Sequence, residues 1–512
     1  MNEINLKSLL DVVKINLPSE FVNPYIKQIT FNSQDVRKGG LFLGLPGTTV
    51  DGGKFWKDAI NNGAAAAIIS KEAEKLTGKV DKKKVLVLNK PLDDLYGQII
   101  SHFCGNPSRD LKLIGVTGTN GKTTVTFLIE FLLMKLGIKV ALFGTLYNRW
   151  PGYCESSQLT TDFPDKLQPK LQAAKNANAK FAIMEISSHS IAQKRISGCE
   201  FFASVFTNLS QDHLDYHKSM ESYFDTKKEL FKSKYLRSDI GFSVVNVDDL
   251  WGGKLLDEVE SKTISISIHK TLNDLEEKKN IFYLTDKKFT SKGSFCYLHT
   301  HKEKVKLFTP LVGDFNLMNS IQAIAILYQL GFPIKDICAA IKDFPGVPGR
   351  MEKIIVEEDK NKILPEIIVD YAHTPDGLFK VLNSLKNFNQ GRIITVFGCG
   401  GDRDSKKRPL MGSIAESFSD HVFITSDNPR KENPEKIMKD ISSGVENKKK
   451  ITLYIDRSLA IKQAINFANS GDIVLIAGKG HEDYQILKNK VINFEDKKFA
   501  KQFLKRKLKQ KT

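Results

Sequence analysis

The segment from residue 111 to residue 137 constrains the fold more than any other part of the sequence. An apolar run, LKLIGV, leads into the glycine-containing loop TGTNGKTT, and the apolar-periodic stretch TVTFLIEFLLMKLG follows. This order of strand, loop and helix is typical of α/β nucleotide-binding domains, because loop amides and the helix dipole stabilise phosphate. The residues predicted to bind nucleotide phosphate are Gly118, Thr119, Asn120, Gly121, Lys122, Thr123 and Thr124.

Two side chains of this loop carry the predicted chemistry. Lys122 supplies a point charge for a phosphate, and the Thr123 hydroxyl suits a bound Mg²⁺ ion. The general phosphate-loop pattern places a glycine five residues before Gly121, where this chain has Val116. The strand before the loop and the helix after it still favour a phosphate site.

The chain is too long for one core. At 512 residues, and with about 150 residues per domain, roughly three domains are expected. A turn at Asn106-Pro107 and the proline-glycine cluster FPGVPGRME at 344–352 divide it into domains 1–108, 109–345 and 346–512. The predicted fold class is α/β, with a parallel sheet in the central domain. In the last domain three apolar runs alternate with helical segments, which predicts a Rossmann-like α/β domain.

Composition argues against several classes of protein. The net charge is +17, but the lysines are spread along the chain and thicken at its end, which indicates a solvated helix and tail rather than a nucleic-acid site. The six cysteines contain no CxxC pair, so a reducing cytoplasm is expected. No run of 18 apolar residues is present, and we expect neither export nor membrane insertion.

Two further segments place ionisable residues where ligands bind. Glu185 ends the apolar run of KFAIMEISS, and the carboxyl ends of parallel strands are where α/β sheets hold ligands. TNLSQDHLDYH follows it and contains Asp212, His213 and Asp215. Asp212 and Asp215 suit loop caps equally well. Lys227, taken alone, reads as a lysine on a helix surface.

These motifs together resemble the Mur ligases, a superfamily that includes the folylpolyglutamate synthases. TGTNGKTT is similar to the family's phosphate loop, in which the shifted glycine is normal, and TNLSQDHLDYH matches its TN-x-x-x-DH-x-D-x-H signature. The resemblance implies a ligase with ATP as co-substrate, which forms an acyl phosphate and then an amide. It implies Mg²⁺ held by Thr123, Glu185 and His213, a carbamate on Lys227, and ATP contacts from Asn316, Arg350 and His373.

The resemblance also implies an acyl substrate, UDP-N-acetylmuramoyl-L-Ala-D-Glu. The N-terminal segment FNSQDVRKGGLFLGLPGTTVDGG is similar to the family's UDP-binding domain, with Ser33 and the loop 47–52 as contacts. Many relatives have Asp-Ser-Arg where this chain has Asn-Ser-Gln, which puts an ionic contact at Gln34 in doubt. The remaining contacts implied for this substrate are Thr160, Thr161, Ser187, Gln193, Arg195 and carbamylated Lys227.

The amine substrate depends on four motifs of the last domain: DYAHTPD, GCGGDRD, SDNPR and GKGHEDY. Arg430 suits the distal carboxylate of meso-diaminopimelate, and Glu482 suits its ammonium. The full set implied is Arg403, Asp427, Asn428, Pro429, Arg430, Gly478 and Glu482. The alternative functions are the same ligase with L-lysine as its amine, a folylpolyglutamate-synthase-like amide ligase, or an inactive scaffold. The protein is expected to be a monomer.

Overall fold

Three main β-sheets organise the fold, one in each of the predicted domain ranges. The computed structural model describes residues 3–47, 50–89, 92–269, 280–357 and 364–511. Residues 48 and 49 of the predicted UDP-binding loop lie outside this description. The division predicted at 108/109 falls within a short helix, and the division at 345/346 precedes the first strand of the last sheet. The exact domain limits therefore stay predictions.

The N-terminal range contains a four-stranded parallel sheet in the order β3-β4-β5-β6 and a small antiparallel pair, β1 with β2. Its strands are β1 Ile4–Asn5, β2 Tyr25–Ile26, β3 Gln28–Thr30, β4 Gly40–Leu43, β5 Ala64–Ser70 and β6 Val85–Leu88. Its helices are α1 Leu6–Asp11, α2 Trp56–Asn61, α3 Lys71–Thr77, α4 Asp93–Phe103 and α5 Pro107–Asp110.

The central range contains an eleven-stranded sheet in the order β10-β9-β8-β11-β7-β12-β13-β14-β15-β16-β17. Its strands are β7 Lys112–Thr117, β8 Val140–Phe143, β9 Tyr147–Trp150, β10 Tyr153–Ser156, β11 Phe181–Glu185, β12 Phe201–Phe206, β13 Phe242–Asn246, β14 Lys262–Ser267, β15 Ile281–Thr290, β16 Gly293–His299 and β17 Lys304–Thr309. Its helices are α6 Lys122–Lys135, α7 Pro164–Asn176, α8 Ser188–Ala192, α9 Leu214–His217, α10 Met220–Lys228, α11 Leu250–Glu258, α12 Asp314–Gln329 and α13 Ile334–Ala340.

The strands from β8 to β15 in this order are parallel, and both edges are antiparallel. Alternate residues of β7 face opposite cores: Ile114 packs in the cluster that contains Leu128 of α6, and Leu113 in the one that contains Leu171 of α7. The sheet is thereby covered on both faces. The register pairs Glu185 with Val116, which brings the end of β11 beside the phosphate loop.

The C-terminal range contains a six-stranded sheet in the order β18-β19-β23-β20-β21-β22, parallel except for β18. Its strands, with the hairpin β24–β25, are β18 Glu352–Ile354, β19 Glu366–Asp370, β20 Ile393–Phe397, β21 His421–Thr425, β22 Ile451–Tyr454, β23 Ile473–Ala477, β24 Tyr484–Leu487 and β25 Lys490–Asn493. Its helices are α14 Pro375–Phe388, α15 Lys407–Phe418, α16 Pro434–Ser443, α17 Arg457–Phe467 and α18 Asp496–Lys511.

The basic C-terminal segment differs from the solvated helix and tail that its lysines predict. Helix α18 buries Phe503 and Leu504 against the last sheet. Lys507 is also buried, and its ammonium donates hydrogen bonds to the carbonyl oxygens of Ile465, Asn466 and Ala468 at the end of α17. In the described part of the chain, no helix is long and apolar enough to cross a bilayer.

Candidate active site

The phosphate loop connects β7 to α6 through two glycines with positive φ. Gly118 has a φ of 146°, and a Cβ there would lie 1.9 Å from Thr207 Oγ1. Gly121 has a φ of 89°, and a Cβ there would lie 2.5 Å from Asn319 Oδ1. Lys122 begins α6 and donates hydrogen bonds to the carbonyl oxygens of Gly118 and Thr119, at 3.0 and 2.8 Å. Glycine is therefore required at both positions, by the positive φ and by close packing against Thr207 and Asn319.

The Glu185 carboxylate is the centre of a hydrogen-bond network beside this loop, and its side chain is buried. Thr123 donates its hydroxyl to Oε2 at 3.0 Å. Thr145 donates its amide to Oε1 at 2.9 Å and its hydroxyl to Oε2 at 3.0 Å. A hydroxyl and a carboxylate are thus adjacent at the start of α6, which is a donor set that Mg²⁺ accepts.

His213 lines the same cavity as Thr123 and Glu185. Its backbone has a φ of 54°, and its amide donates to Asp212 Oδ1 at 3.0 Å. Burial lowers the pKa of the His213 imidazole, although the Asp212 carboxylate opposes this. A neutral imidazole is the form that can bind a metal ion, but Mg²⁺ prefers oxygen ligands, so Thr123 and Glu185 fit that ion better than His213 does.

Lys227 is 1% exposed, which contradicts its reading as a lysine on a helix surface. Its amine donates to the Gly118 carbonyl oxygen at 2.9 Å and lies 4.8 Å from the centre of the Tyr223 ring. Burial lowers the pKa of Lys227 well below its ordinary 10.5, and the nearby charge of Lys122 adds to this effect. Burial also lowers the pKa of Lys122, against the influence of Glu185 and Asp212.

One cavity of about 570 Å³ joins the phosphate loop to the C-terminal domain. All the predicted ATP contacts except Gly118 line it, including Asn316, Arg350 and His373. Arg350 Nη2 donates to Thr123 Oγ1 at 3.3 Å, and its guanidinium stacks 4.2 Å from the Tyr371 ring centre. Burial lowers the pKa of His373 to about 4. The nucleotide contacts predicted from two domains therefore meet in one space.

Most of the predicted acyl-substrate residues surround Glu185. Thr161 donates its hydroxyl to the Glu185 carbonyl oxygen at 2.8 Å, and Thr160 lies 3.2 Å from Thr145 Oγ1. Ser187 caps α8 and lines the cavity with Thr160. Arg195 donates to Gln193 Oε1 at 2.6 Å and to the Thr161 carbonyl oxygen at 3.0 Å.

Ser33 does not line this cavity. It is 7% exposed in the N-terminal domain, and its carbonyl oxygen accepts a hydrogen bond from Asn62 Nδ2 at 2.9 Å. Two residues before Ser33, the Phe31 amide donates to Asp165 Oδ2 of the central domain at 3.3 Å. A substrate that reaches from Ser33 to Glu185 would therefore cross the junction of two domains.

The predicted amine residues meet at the carboxyl ends of β20, β21 and β23. Asn428 Nδ2 donates to Glu482 Oε2 at 2.8 Å. Arg430 Nη1 donates to the Gly401 carbonyl oxygen at 2.8 Å and lies 3.5 Å from the Asn428 carbonyl oxygen. Asn428 thus touches both the cation and the anion of the pocket.

The other predicted amine residues lie around these three. A Cβ at Gly478, which has a φ of 112°, would lie 2.8 Å from Asp427 Oδ2. The Pro429 carbonyl oxygen approaches Gly401 and accepts the Glu432 amide at 3.0 Å. Arg403 is exposed and donates to the Asp402 carbonyl oxygen at 3.3 Å.

The geometry singles out three further residues: sequence reasoning missed Thr145 and Lys479, and noted Asp376 only as a polar member of DYAHTPD. Thr145 follows β8 and makes two hydrogen bonds to Glu185. Asp376 accepts hydrogen bonds from Asn120 at 2.9 Å and from Ser210 at 3.1 Å, and so connects the phosphate loop to α14. Lys479 is fully buried beside Glu482. Only Lys479 and Asp376 stood inside motifs already singled out, GKGHEDY and DYAHTPD.

Comparison with known protein families agrees with this architecture. Three family models match successive parts of the chain: Mur ligase family, catalytic domain, at residues 25–103; Mur ligase middle domain at 116–327; and Mur ligase, glutamate ligase domain, at 349–480. Together they cover well over half of the sequence.

Individual proteins are similar over the full length. A protein of Prochlorococcus marinus subsp. pastoris named UDP-N-acetylmuramoyl-L-alanyl-D-glutamate--2,6-diaminopimelate ligase is 59% identical over 512 residues, which is 100% of both chains. A solved structure with the same enzyme name has a TM-score of 0.69 at 30% identity and covers 99% of this chain and 100% of its own. Folylpolyglutamate synthase of Mycobacterium tuberculosis shares the fold, with a TM-score of 0.59 at 16% identity over 74% of this chain and 91% of its own.

The fold and the site thus define a ligase of the three-domain type, and the chain belongs to the Mur ligase family.

Proposed function

We propose that this protein is an ATP-dependent ligase that adds meso-2,6-diaminopimelate to UDP-N-acetylmuramoyl-L-alanyl-D-glutamate in peptidoglycan synthesis. The full-length identity of 59% to a ligase of that name is the observation that carries the proposal. The match of residues 25–103 to a Mur ligase model disfavours a folylpolyglutamate-synthase-like enzyme as the alternative, because the matching synthase covers only 74% of the chain.

The reaction runs through two bond exchanges. A carboxylate oxygen of the acyl substrate bonds to the γ-phosphorus of ATP while the bond to the β–γ bridging oxygen breaks, and ADP leaves. The amine nitrogen of diaminopimelate then bonds to the acyl carbon, inorganic phosphate leaves, and the nitrogen loses a proton. The residues proposed as catalytic are Lys122, Glu185, His213 and Lys227. Their task is alignment and charge neutralisation, because the phosphoryl group needs little covalent help.

Lys122 is proposed to contact the transferred phosphoryl group. Its present partners are two neutral carbonyl oxygens, so an anionic phosphate is the stronger competitor for its ammonium. Thr123, Glu185 and His213 would hold Mg²⁺, which neutralises phosphate charge when bound. In the described ranges no group of three or more His, Cys, Asp or Glu residues is arranged to hold a metal ion.

Lys227 is proposed to carry a carbamate. A lysine reacts with CO2 as the neutral amine, with loss of one proton, and the lowered pKa of Lys227 favours that form. The hydrogen bond from its amine to the Gly118 carbonyl oxygen supports a role for this group beside the phosphate loop. The intact set of Lys122, Glu185, His213 and Lys227 favours an enzyme over an inactive scaffold.

The amine assignment depends on Arg430. Its Nη1 is held by Gly401, and in the described part of the chain no hydrogen-bond partner is recorded for Nε or Nη2. Those two donors are spaced for a bidentate carboxylate, which diaminopimelate has at its distal end and L-lysine lacks. Monomeric state and cytoplasmic location stay predictions.

The test is phosphate release with ATP, Mg²⁺ and UDP-N-acetylmuramoyl-L-Ala-D-Glu, comparing meso-diaminopimelate with L-lysine. Arg430→Ala should lower kcat/KM for diaminopimelate by about 100-fold, because the distal carboxylate of the amine loses its charged partner. Lys431→Ala, an exposed neighbouring change, is the matched control. Equal or better use of L-lysine by the wild type would contradict diaminopimelate as the amine substrate. Phosphate release with neither amine would contradict the proposed ligase activity itself.

A further inference from the structure

Lys479 has a place in the amine pocket that the motif comparison does not assign. It follows Gly478 at the end of β23, and its side chain is 0% exposed. Its ammonium donates to Glu482 Oε2 at 2.9 Å and to Asn428 Oδ1 at 3.4 Å. A fully buried ammonium persists only with such partners, because desolvation of an unpaired charge is costly.

The consequence for Glu482 is an asymmetric carboxylate. Oε2 accepts from both Lys479 and Asn428, whereas no protein donor to Oε1 is recorded in the described ranges. The Asn428 amide is itself fixed, since its Oδ1 accepts the Ile486 amide at 2.9 Å. One oxygen of Glu482 is therefore saturated by the protein, and the other stays available to a ligand. The side chain of Glu482 is 15% exposed, which leaves it accessible.

The internal ammonium also changes what the pocket attracts. With Lys479 in place, the charge of Glu482 is already compensated, so an amine whose distal end is only a cation gains little there. An amine whose distal end is zwitterionic brings its own carboxylate, which Arg430 can bind while its ammonium uses Oε1 of Glu482. Specificity is the difference between the binding free energies of two ligands. The Lys479 ammonium competes for Glu482, and this weakens an amine without a distal carboxylate more than it weakens diaminopimelate.

We propose that Lys479 is a positioning and specificity-determining residue: it orients Glu482 and Asn428, and its buried ammonium disfavours amines that lack a distal carboxylate. This inference rests on the proposed function, because it concerns the choice between diaminopimelate and L-lysine. Lys479 acts through Glu482 and Asn428 and touches no reacting atom.

The experiment measures kcat and KM for both amines in wild type, Lys479→Met and Lys479→Gln. Met removes charge and donor, whereas Gln keeps a donor for Glu482 and removes only the charge. Lys490→Met, an exposed lysine of the adjacent hairpin with the same charge change, is the control. Each variant is first checked for folding by its circular dichroism and its KM for ATP.

In Lys479→Met, KM for diaminopimelate should rise about tenfold with kcat changed less than about threefold, as expected for loss of a charged hydrogen bond. The ratio of kcat/KM for diaminopimelate to kcat/KM for L-lysine should fall in both variants. KM for diaminopimelate should rise less in Lys479→Gln than in Lys479→Met. Lys490→Met should behave as wild type. A purely structural role would lower the use of both amines equally and leave the preference unchanged.

An unchanged KM for diaminopimelate in Lys479→Met, or an unchanged preference in Lys479→Gln, would overturn the inference and leave the proposed function standing. If Lys479→Met does not fold, the preference of Lys479→Gln decides alone. A wild-type enzyme that prefers L-lysine would overturn the proposed amine and the role of Lys479 together.

Discussion

The phosphate loop and the amine pocket hold their lysines in different ways. Lys122 bonds to two carbonyl oxygens of its own loop, those of Gly118 and Thr119. Lys479 bonds to a carboxylate three residues away, Glu482, and to Asn428, which is 51 residues earlier in the chain. The first cation is placed by a local turn, and the second by the packing of two strand ends.

The difference agrees with the two roles proposed: Lys122 binds an anionic ligand, and Lys479 positions Glu482 and Asn428. Neutral carbonyl oxygens are weak partners for an ammonium, so we expect Lys122 to exchange them for an anionic ligand. A carboxylate is a strong partner for a fully buried ammonium, so we expect Lys479 to stay with Glu482 and to fix its geometry. Substitutions at the first site should therefore affect turnover, and substitutions around the second should affect amine binding.

The largest expected effect is at Lys122. Lys122→Met should lower kcat about 100- to 1000-fold, because it removes a cation from the transferring phosphoryl group. Phosphate release under saturating substrates measures it. Lys135→Met, at the exposed end of the same helix, is the control and should keep near-wild-type activity. A fall in kcat of less than about threefold would show that Lys122 does not act as a phosphate ligand.

The next largest effect is expected at a buried ion pair beneath the amine pocket. Asp496 and Arg457 form a bidentate pair with 0% exposure of both side chains, and Arg457 Nη2 also holds the Ala477 carbonyl oxygen just before Gly478. Asp496→Ala should cost about 3–5 kcal/mol in the free energy of unfolding, because it leaves a buried guanidinium unpaired. KM for diaminopimelate should rise while KM for ATP stays constant.

Urea denaturation measures the stability loss, and the two KM values measure the local effect. Lys497→Ala removes the neighbouring exposed partner of Glu352 and should cost at most about 1 kcal/mol. Similar losses in both variants would contradict the distinction between buried and exposed pairs. A parallel rise in both KM values would contradict a local effect on the amine pocket.

The smallest effect is a pH dependence of stability from two histidines that border the two sites. Burial lowers the pKa of His373 to about 4 and that of His481 to about 3, from about 6.5 in the unfolded chain. Below pH 6.5 the unfolded state therefore binds more protons, so the stabilisation present above pH 6.5 is lost as pH falls toward the folded values. Each histidine should contribute a loss of about 1 kcal/mol between pH 7 and 5.5.

Urea denaturation at the two pH values checks this expectation. His481→Gln should reduce the loss between pH 7 and 5.5, whereas His301→Gln, an exposed histidine of the central domain, should not. An unchanged loss in His481→Gln would mean that its imidazole is not buried neutral in solution.

Local patterns in the sequence were sufficient to predict the strands and the helix that carry the site. The apolar run before TGTNGKTT forms β7, the periodic run after it forms α6, and Glu185 ends β11 as predicted. These features depend on neighbours within a few residues, such as glycines that accept positive φ. The roles of the individual site residues stay proposals.

Local patterns did not distinguish between similar residues with different surroundings. Lys227 and Lys228 are adjacent and chemically identical, yet Lys227 is 1% exposed against Gly118 while Lys228 pairs with Glu258 near the surface. The same limit applies to α18, where the run of lysines hid an apolar face that packs into the last core.

By itself, the sequence determined the α/β class, the phosphate loop and the resemblance to the Mur ligases, because each depends on contiguous residues. Only the tertiary structure decided that Thr145 holds Glu185, that Asp376 meets Asn120 across 256 residues, and that Lys479 saturates one oxygen of Glu482. A buried polar group takes whichever partner the packing of sheets and helices brings within hydrogen-bond distance, and local periodicity does not specify that partner.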